Sequence, residues 1–329
     1  MLVEEFGPSS RGPVQRLVLG TAPGPVLELL DLGATVHRLW VTCGDGVRRN
    51  VVLGHATPEE YLSSGDYVGG TIGRYANRIR GGRFDLDGEP VQLATNENGH
   101  TLHGGPDGFD KRTWRVDQHS DDQLVLELTS PRGDQGFPGE LIVRAQFAVA
   151  EDTVQLELEA TADADTVVGL TSHTYFNLDG DGAGPVTGHL LRVAAEEYLS
   201  TDDEGIPGER TPVAGSRFDL RTPVSLGAVG DLDDCFVLSG SGLRVAAELT
   251  SPVTRTRMVL STDQPGLQVY SGTWFDGSGR STTGVAYGRG AGVALEAQLL
   301  PDTPNRPDLG SAVLRPGQTY QSRVEWSFS

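Results

Sequence analysis

The chain has 329 residues, a formal net charge of −19 and one lysine, Lys111, among 26 basic residues. So acidic a balance argues against nucleic acid and anionic membrane surfaces as partners, because both need a basic patch. Cys43 and Cys235 are the only cysteines. They provide no disulfide framework and no cysteine-based zinc site, and they fit a reducing, cytoplasmic setting.

The N-terminus, Met-Leu-Val-Glu-Glu-Phe-Gly, lacks a basic start followed by an apolar run, so no signal peptide is expected. No stretch approaches the ~20 apolar residues of a membrane span. In chain order, strands are predicted at 16–19, 35–41, 123–129, 141–149, 154–160, 244–249, 258–261, 267–270, 293–295 and 322–328. At 154–160, Gln155, Glu157 and Glu159 share one face, and Leu156, Leu158 and Ala160 share the other. Residues 57–63 offer a single helical turn. Asp87-Gly88, Asp276-Gly277 and Pro316-Gly317 are turn pairs. The Gly-rich stretches 180–188 and 272–290 read as surface loops, and no fixed-period repeat is present. The fold expected is all-β: one large, mostly antiparallel β-sandwich formed by residues 1–329 as a single domain.

Two ionisable residues lie in short apolar runs, where burying them without a reason is costly. Glu296 sits in Val-Ala-Leu-Glu-Ala-Gln-Leu-Leu-Pro-Asp, and His173 in Thr-Ser-His-Thr-Tyr-Phe-Asn-Leu. If 172–178 is extended, His173, Tyr175 and Asn177 form a polar face opposite Thr174 and Phe176. That suits a strand lining a pocket, although a core histidine or an ion-paired carboxylate would give the same strings. His103 precedes Gly104-Gly105, which allow close backbone approach. Asn77 and Arg78 are neighbours, so both reach one ligand only if the chain bends there. Asp233 and Asp234 are adjacent carboxylates. No Walker A string, Gly-x-Ser-x-Gly or His-Glu-x-x-His is present.

Several strings, in order, resemble the aldose 1-epimerase (galactose mutarotase) family. They are Gly73-Arg-Tyr-Ala-Asn-Arg-Ile79, Leu102-His-Gly-Gly105, Gly108-Phe-Asp-Lys-Arg-Thr-Trp114, Asp134-Gln-Gly-Phe-Pro-Gly139, Ser172-His-Thr-Tyr-Phe-Asn-Leu178, Leu232-Asp-Asp-Cys-Phe-Val237, Pro265-Gly-Leu-Gln-Val-Tyr270 and Leu295-Glu-Ala-Gln-Leu-Leu-Pro-Asp302. The resemblance implies a galactose mutarotase-like supersandwich with a sugar on a broad concave sheet. It implies that Glu296 is the general base on the anomeric hydroxyl and His173 the general acid on the ring oxygen. Asn77, Arg78, His103, Tyr175, Asp233 and Gln268 would bind the sugar. Where the family has Asp-His, this chain has Asp233-Asp234, so Asp234 is the fallback. His100 replaces a family asparagine, on a loop or as a second imidazole near the site. His37, His55, His119 and His189 read as structural or exposed.

The function implied is interconversion of α and β anomers of a free aldohexose, with no cofactor and no metal. The partner is a small-molecule sugar, and both monomer and homodimer remain open. Two rivals compete. A glycoside hydrolase would pair Asp233 with Glu296, roughly 5–9.5 Å apart, and would leave His173 unexplained. A non-catalytic sugar-binding or sensor protein would use the same fold.

Overall fold

The computed structural model describes residues 2–329; Met1, where the N-terminal stretch read as leader-free begins, lies outside the described residues. Three sheets carry the architecture, and every strand pair in them is antiparallel. A nine-stranded sheet runs, in spatial order, through Arg115–His119, Gln123–Ser130, Leu141–Ala150, Thr153–Ala162, Tyr320–Phe328, Thr256–Thr262, Arg244–Ser251, Leu190–Val193 and Val224–Ser225. A six-stranded sheet runs through Tyr175–Phe176, Val293–Gln298, Gly266–Tyr270, Asp233–Leu238, Ala195–Thr201 and Pro207–Pro212. A five-stranded meander occupies residues 2–50.

Alternation explains which faces meet. Leu156, Leu158 and Ala160 are buried, and so are Leu141, Val143, Ala145 and Phe147 of the adjacent strand. They join Leu17, Leu27, Leu29, Leu267, Val269, Val293 and Leu295 in one apolar cluster that spans all three sheets. Each buried Val, Leu or Phe side chain contributes roughly 1.5–3 kcal/mol by leaving water. Phe176 packs edge-on against Trp326, with ring centroids 5.6 Å apart, and so ties the short sheet to the long one.

All ten predicted strands are present, each longer than expected. Asp87 (φ 55°) and Gly88 (φ 90°) close the hairpin between Arg83–Leu86 and Glu89–Gln92, the geometry an Asp-Gly pair favours. The helical turn is real: Pro58–Ser63 follows Thr57, whose hydroxyl caps Glu60 N–H while Glu60 reaches back to Thr57 N–H. One expectation needs correction. Residues 172–178 do not form one continuous strand: Thr171–Ser172 pairs with Thr71–Ile72, the chain breaks at His173-Thr174, and Tyr175–Phe176 pairs with residues 293–294. No helix among the described residues is long and apolar enough to cross a membrane.

Candidate active site

Glu296 lies mid-strand in Val293–Gln298, in the interior of the six-stranded sheet. The pleat sends Val293, Leu295 and Ala297 into the core and Glu296 to the opposite face, toward the cavity. There it is 2% exposed, with Oε2 lacking a hydrogen-bond partner and Oε1 3.6 Å from His173 Nε2. Burial, reinforced by the nearby Asp233 carboxylate, holds the Glu296 carboxyl well above the usual carboxylate range.

The break in the chain is what aims His173. Its N–H donates to Gly70 O at 2.9 Å, and its carbonyl accepts from Gly69 N at 3.0 Å. The imidazole is 4% exposed and sits among Tyr175, His103 and Tyr67, with ring centroids 4.9, 5.3 and 5.8 Å away. Burial pushes it down to about 4. Burial raises the carboxyl and lowers the imidazole, so each is pushed toward its neutral form and the two proton affinities are brought toward each other. Moving a proton from Glu296 to His173 produces carboxylate and imidazolium with no change in total charge.

The bend required at Asn77-Arg78 exists: Asn77 adopts φ 65°, and both side chains line the cavity. Asn77 N–H donates to His103 Nδ1 at 3.2 Å, and Asn77 O accepts from His103 N–H at 3.1 Å. A neutral His103 therefore carries its hydrogen on Nε2, as a donor. The two glycines after it are explained by contact: a Cβ at Gly104 (φ 86°) would lie 1.9 Å from Gly73 O. Burial, then His173 and Arg78, keep His103 neutral, well below the usual histidine range.

Asp233, not Asp234, faces the cavity. Neighbours in a strand point apart, and Asp234 instead lies 3.7 Å from Arg217 and accepts from Asp233 N–H. Asp233 Oδ1 accepts from Gln268 Nε2 at 2.7 Å, and Gln268 is the register partner of Glu296. Tyr175 also lines the cavity, while Asn177 does not: its amide donates to Gly184 O and Ala291 O and pins two loops. His100 sits on a loop outside the cavity, with Nδ1 accepting from Gly81 N–H and Nε2 3.2 Å from Glu204. His37, His55 and His189 are buried.

The cavity holds about 260 Å³. Its wall also includes Asp66, Tyr67, Glu97, Tyr270 and Trp274, none of which the sequence reading singled out. Tyr67 packs on His103 with ring centroids 4.6 Å apart, but it reaches that place at φ 55°, which a bulky residue rarely adopts and no pattern announces. Glu97 forms a two-pronged pair with Arg78, at 2.6 Å to Nε and 3.0 Å to Nη2. Arg74 is buried elsewhere, bonded to Ser130 and to the carbonyls of residues 131, 138 and 139. Arg80 is exposed and pairs with Asp202. Arg74, Arg78 and Arg80 do not share one side, because the strand here is only Arg78–Ile79.

His103, His173 and Glu296 present ligand atoms within 4.8 Å of one another. A metal on His103 Nε2 would force that ring's proton onto Nδ1, against Asn77 N–H. The arrangement suits an acid, a base and a hydrogen-bond donor better than a metal ligand set.

Fold and cavity define a large β-sandwich with a buried histidine–carboxyl pair at the floor of a polar cavity. The sequence matches the aldose 1-epimerase family over residues 15–327. It is 38% identical to the aldose 1-epimerase of Escherichia coli (strain K12), across 96% of this chain and 95% of that protein. It is 36% identical to galactose mutarotase of Mus musculus, across 98% and 96% of the two chains. Among solved structures, the GalM/aldose epimerase homologue from C. elegans superposes with a TM-score of 0.91 at 28% identity, covering 95% of this chain and 98% of that one. Galactose 1-epimerase from Lactobacillus acidophilus NCFM gives 0.86 at 28% identity, covering 100% and 98%. The chain belongs to the aldose 1-epimerase family.

Proposed function

We propose that this isomerase interconverts the α and β anomers of a free, uncharged aldohexose such as glucose or galactose, with Glu296 as base and His173 as acid. With the pair's proton on His173, the Glu296 carboxylate takes the proton from O1, the C1–O5 bond breaks, and the imidazolium delivers its proton to O5. The open aldehyde turns about C1–C2 by roughly half a turn. O5 then attacks the other face of C1, His173 recovers its proton, and Glu296 returns one to O1. No proton is gained or lost over the cycle. Each positioned acid or base supplies roughly 10²–10⁴-fold, and His103 Nε2–H adds a preorganised donor for charge developing on oxygen.

The observation that carries this reading is the 3.6 Å approach of two buried, oppositely shifted titratable groups at the floor of an open polar cavity. A glycoside hydrolase has no use for His173 in that place, and a binding module has no use for a desolvated carboxyl without a hydrogen-bond partner on Oε2. Arg78, Asn77, Asp233 and Gln268 hold hydroxyls, and Tyr175 supports His173. The whole chain acts as one domain, and the two buried, free cysteines support a cytoplasmic setting. Polarimetry on freshly dissolved α-glucose and α-galactose tests the proposal: decay no faster than in buffer for either sugar rejects it.

A further inference from the structure

The forked contact between Arg78 and Glu97 has no part in proton transfer, yet it fixes the charge the cavity shows to a ligand. A guanidinium is a natural receptor for a carboxylate or phosphate, through two parallel N–H donors. In Arg78 that fork is filled from within: Nε and Nη2 both donate to Glu97. Glu97 is held in place by a tight turn, with His100 N–H bonded to Glu97 O at 2.7 Å. Gly205 packs over the guanidinium so closely that a Cβ there would lie 2.8 Å from Arg78 Cζ. Nη1 is left with no protein acceptor among the described residues, a single site suited to a neutral hydroxyl. Around the cavity, Arg78 is the one cation among the described lining residues, against the carboxyl groups of Asp66, Glu97, Asp233 and Glu296.

We propose that Glu97 is a specificity-determining residue that occupies the place an acidic sugar's carboxylate would take on Arg78, so that the cavity accepts neutral aldoses and rejects hexuronic acids and sugar phosphates. The inference rests on the aldose reading. It adds that the rejection comes from one side chain and not from the overall charge of the protein.

The test compares kcat/KM for galactose and for galacturonate in the wild type, Glu97→Gln and Glu97→Ala, near pH 7 and at low salt. The wild type is expected to favour galactose by about tenfold or more. Glu97→Gln keeps an acceptor for Arg78 and removes the charge, so the ratio should move about tenfold toward galacturonate, the scale of one unit charge at this range. Added salt should shrink that shift. Glu97→Ala empties the fork and should move the ratio at least as far. A ratio unchanged within about twofold in both variants overturns the proposal, as does a wild type that treats the two substrates alike. If Glu97 only braces Arg78, both substrates lose equally and the ratio stays put, which also overturns it. A wild type inactive on galactose itself rejects the underlying aldose reading, a result distinct from the others.

Discussion

At the floor of the cavity, Glu296 Oε2 has no hydrogen-bond partner and His173 Nε2 lies just beyond hydrogen-bond range of Oε1. At the rim, Arg78 Nε and Nη2 donate to Glu97, and Asp233 takes the amide of Gln268. The floor is buried and under-satisfied, which suits groups that move a proton. The rim is charged and hydrogen-bonded, which suits groups that position a ligand. Burial shifts Glu296 and His173 in opposite directions at the floor and raises Asp233 at the rim; what sets the rim apart is pairing, Arg78 with Glu97 and Asp233 with Gln268.

The sharpest way to break this contrast is at the floor. Glu296→Gln preserves shape and removes the base, so kcat should fall by roughly 10²-fold or more while sugar binding persists. Near-normal turnover in polarimetry, with the fold intact by circular dichroism, would move the base elsewhere. His173→Asn should lose a comparable factor. The double variant should lose far less than the product of the two, because the pair acts as one unit; strictly multiplicative losses would mean two independent steps.

The pH profile probes the same pair. Its working state carries one proton, and His173 accepts a second only as pH falls toward its lowered value of about 4. Activity should therefore be retained at pH 5–6 and be lost only as pH falls toward about 4, where the pair takes up a second proton. Activity already lost by pH 6 would show that the pair takes up its second proton far more readily than the burial of His173 implies.

Rim substitutions should read out as binding. Asp233→Asn should raise KM about tenfold and leave kcat within about threefold, the cost of one charge-assisted hydrogen bond. A larger effect on kcat than on KM would move Asp233 into the chemistry. The smallest effect is expected at Gly205→Ala. Its φ of 75° and its contact with Arg78 predict a loss of about 1 kcal/mol in stability and a KM raised a few-fold. An unchanged KM would show that Arg78 can shift without consequence.

Much of the sandwich was legible in the sequence because half-buried strands advertise themselves. Gln155, Glu157 and Glu159 alternate with Val154, Leu156 and Leu158, and the strand is there. Asp233–Leu238 was not predicted, because residues 234–238 are all buried and no alternation remains to read. The floor was legible for the reason that makes it reactive: an ionisable residue in an apolar run needs an explanation. The rim was not. Glu97 looks like any polar turn residue until the 97–100 turn swings it onto Arg78. The choice between Asp233 and Asp234 needed the pleat of a strand that the sequence had hidden.

The position of Glu296 also governs when the protein can become active. Val293–Gln298 is the last strand of its sheet to be synthesised, yet it fills an interior place between Tyr175–Phe176 and Gly266–Tyr270. Until it arrives, those two strands face each other across a gap with unpaired edges; the pairing with Tyr175–Phe176 joins segments more than a hundred residues apart, whereas that with Gly266–Tyr270 is local. His173 and Arg78 are thus synthesised well before the proposed base, and Tyr320–Phe328, an interior strand of the nine-stranded sheet, follows later still. If Glu296 is the base, as proposed, the emergence of catalysis during synthesis or refolding waits on both of these late interior strands, and a chain truncated before residue 293 lacks the two together.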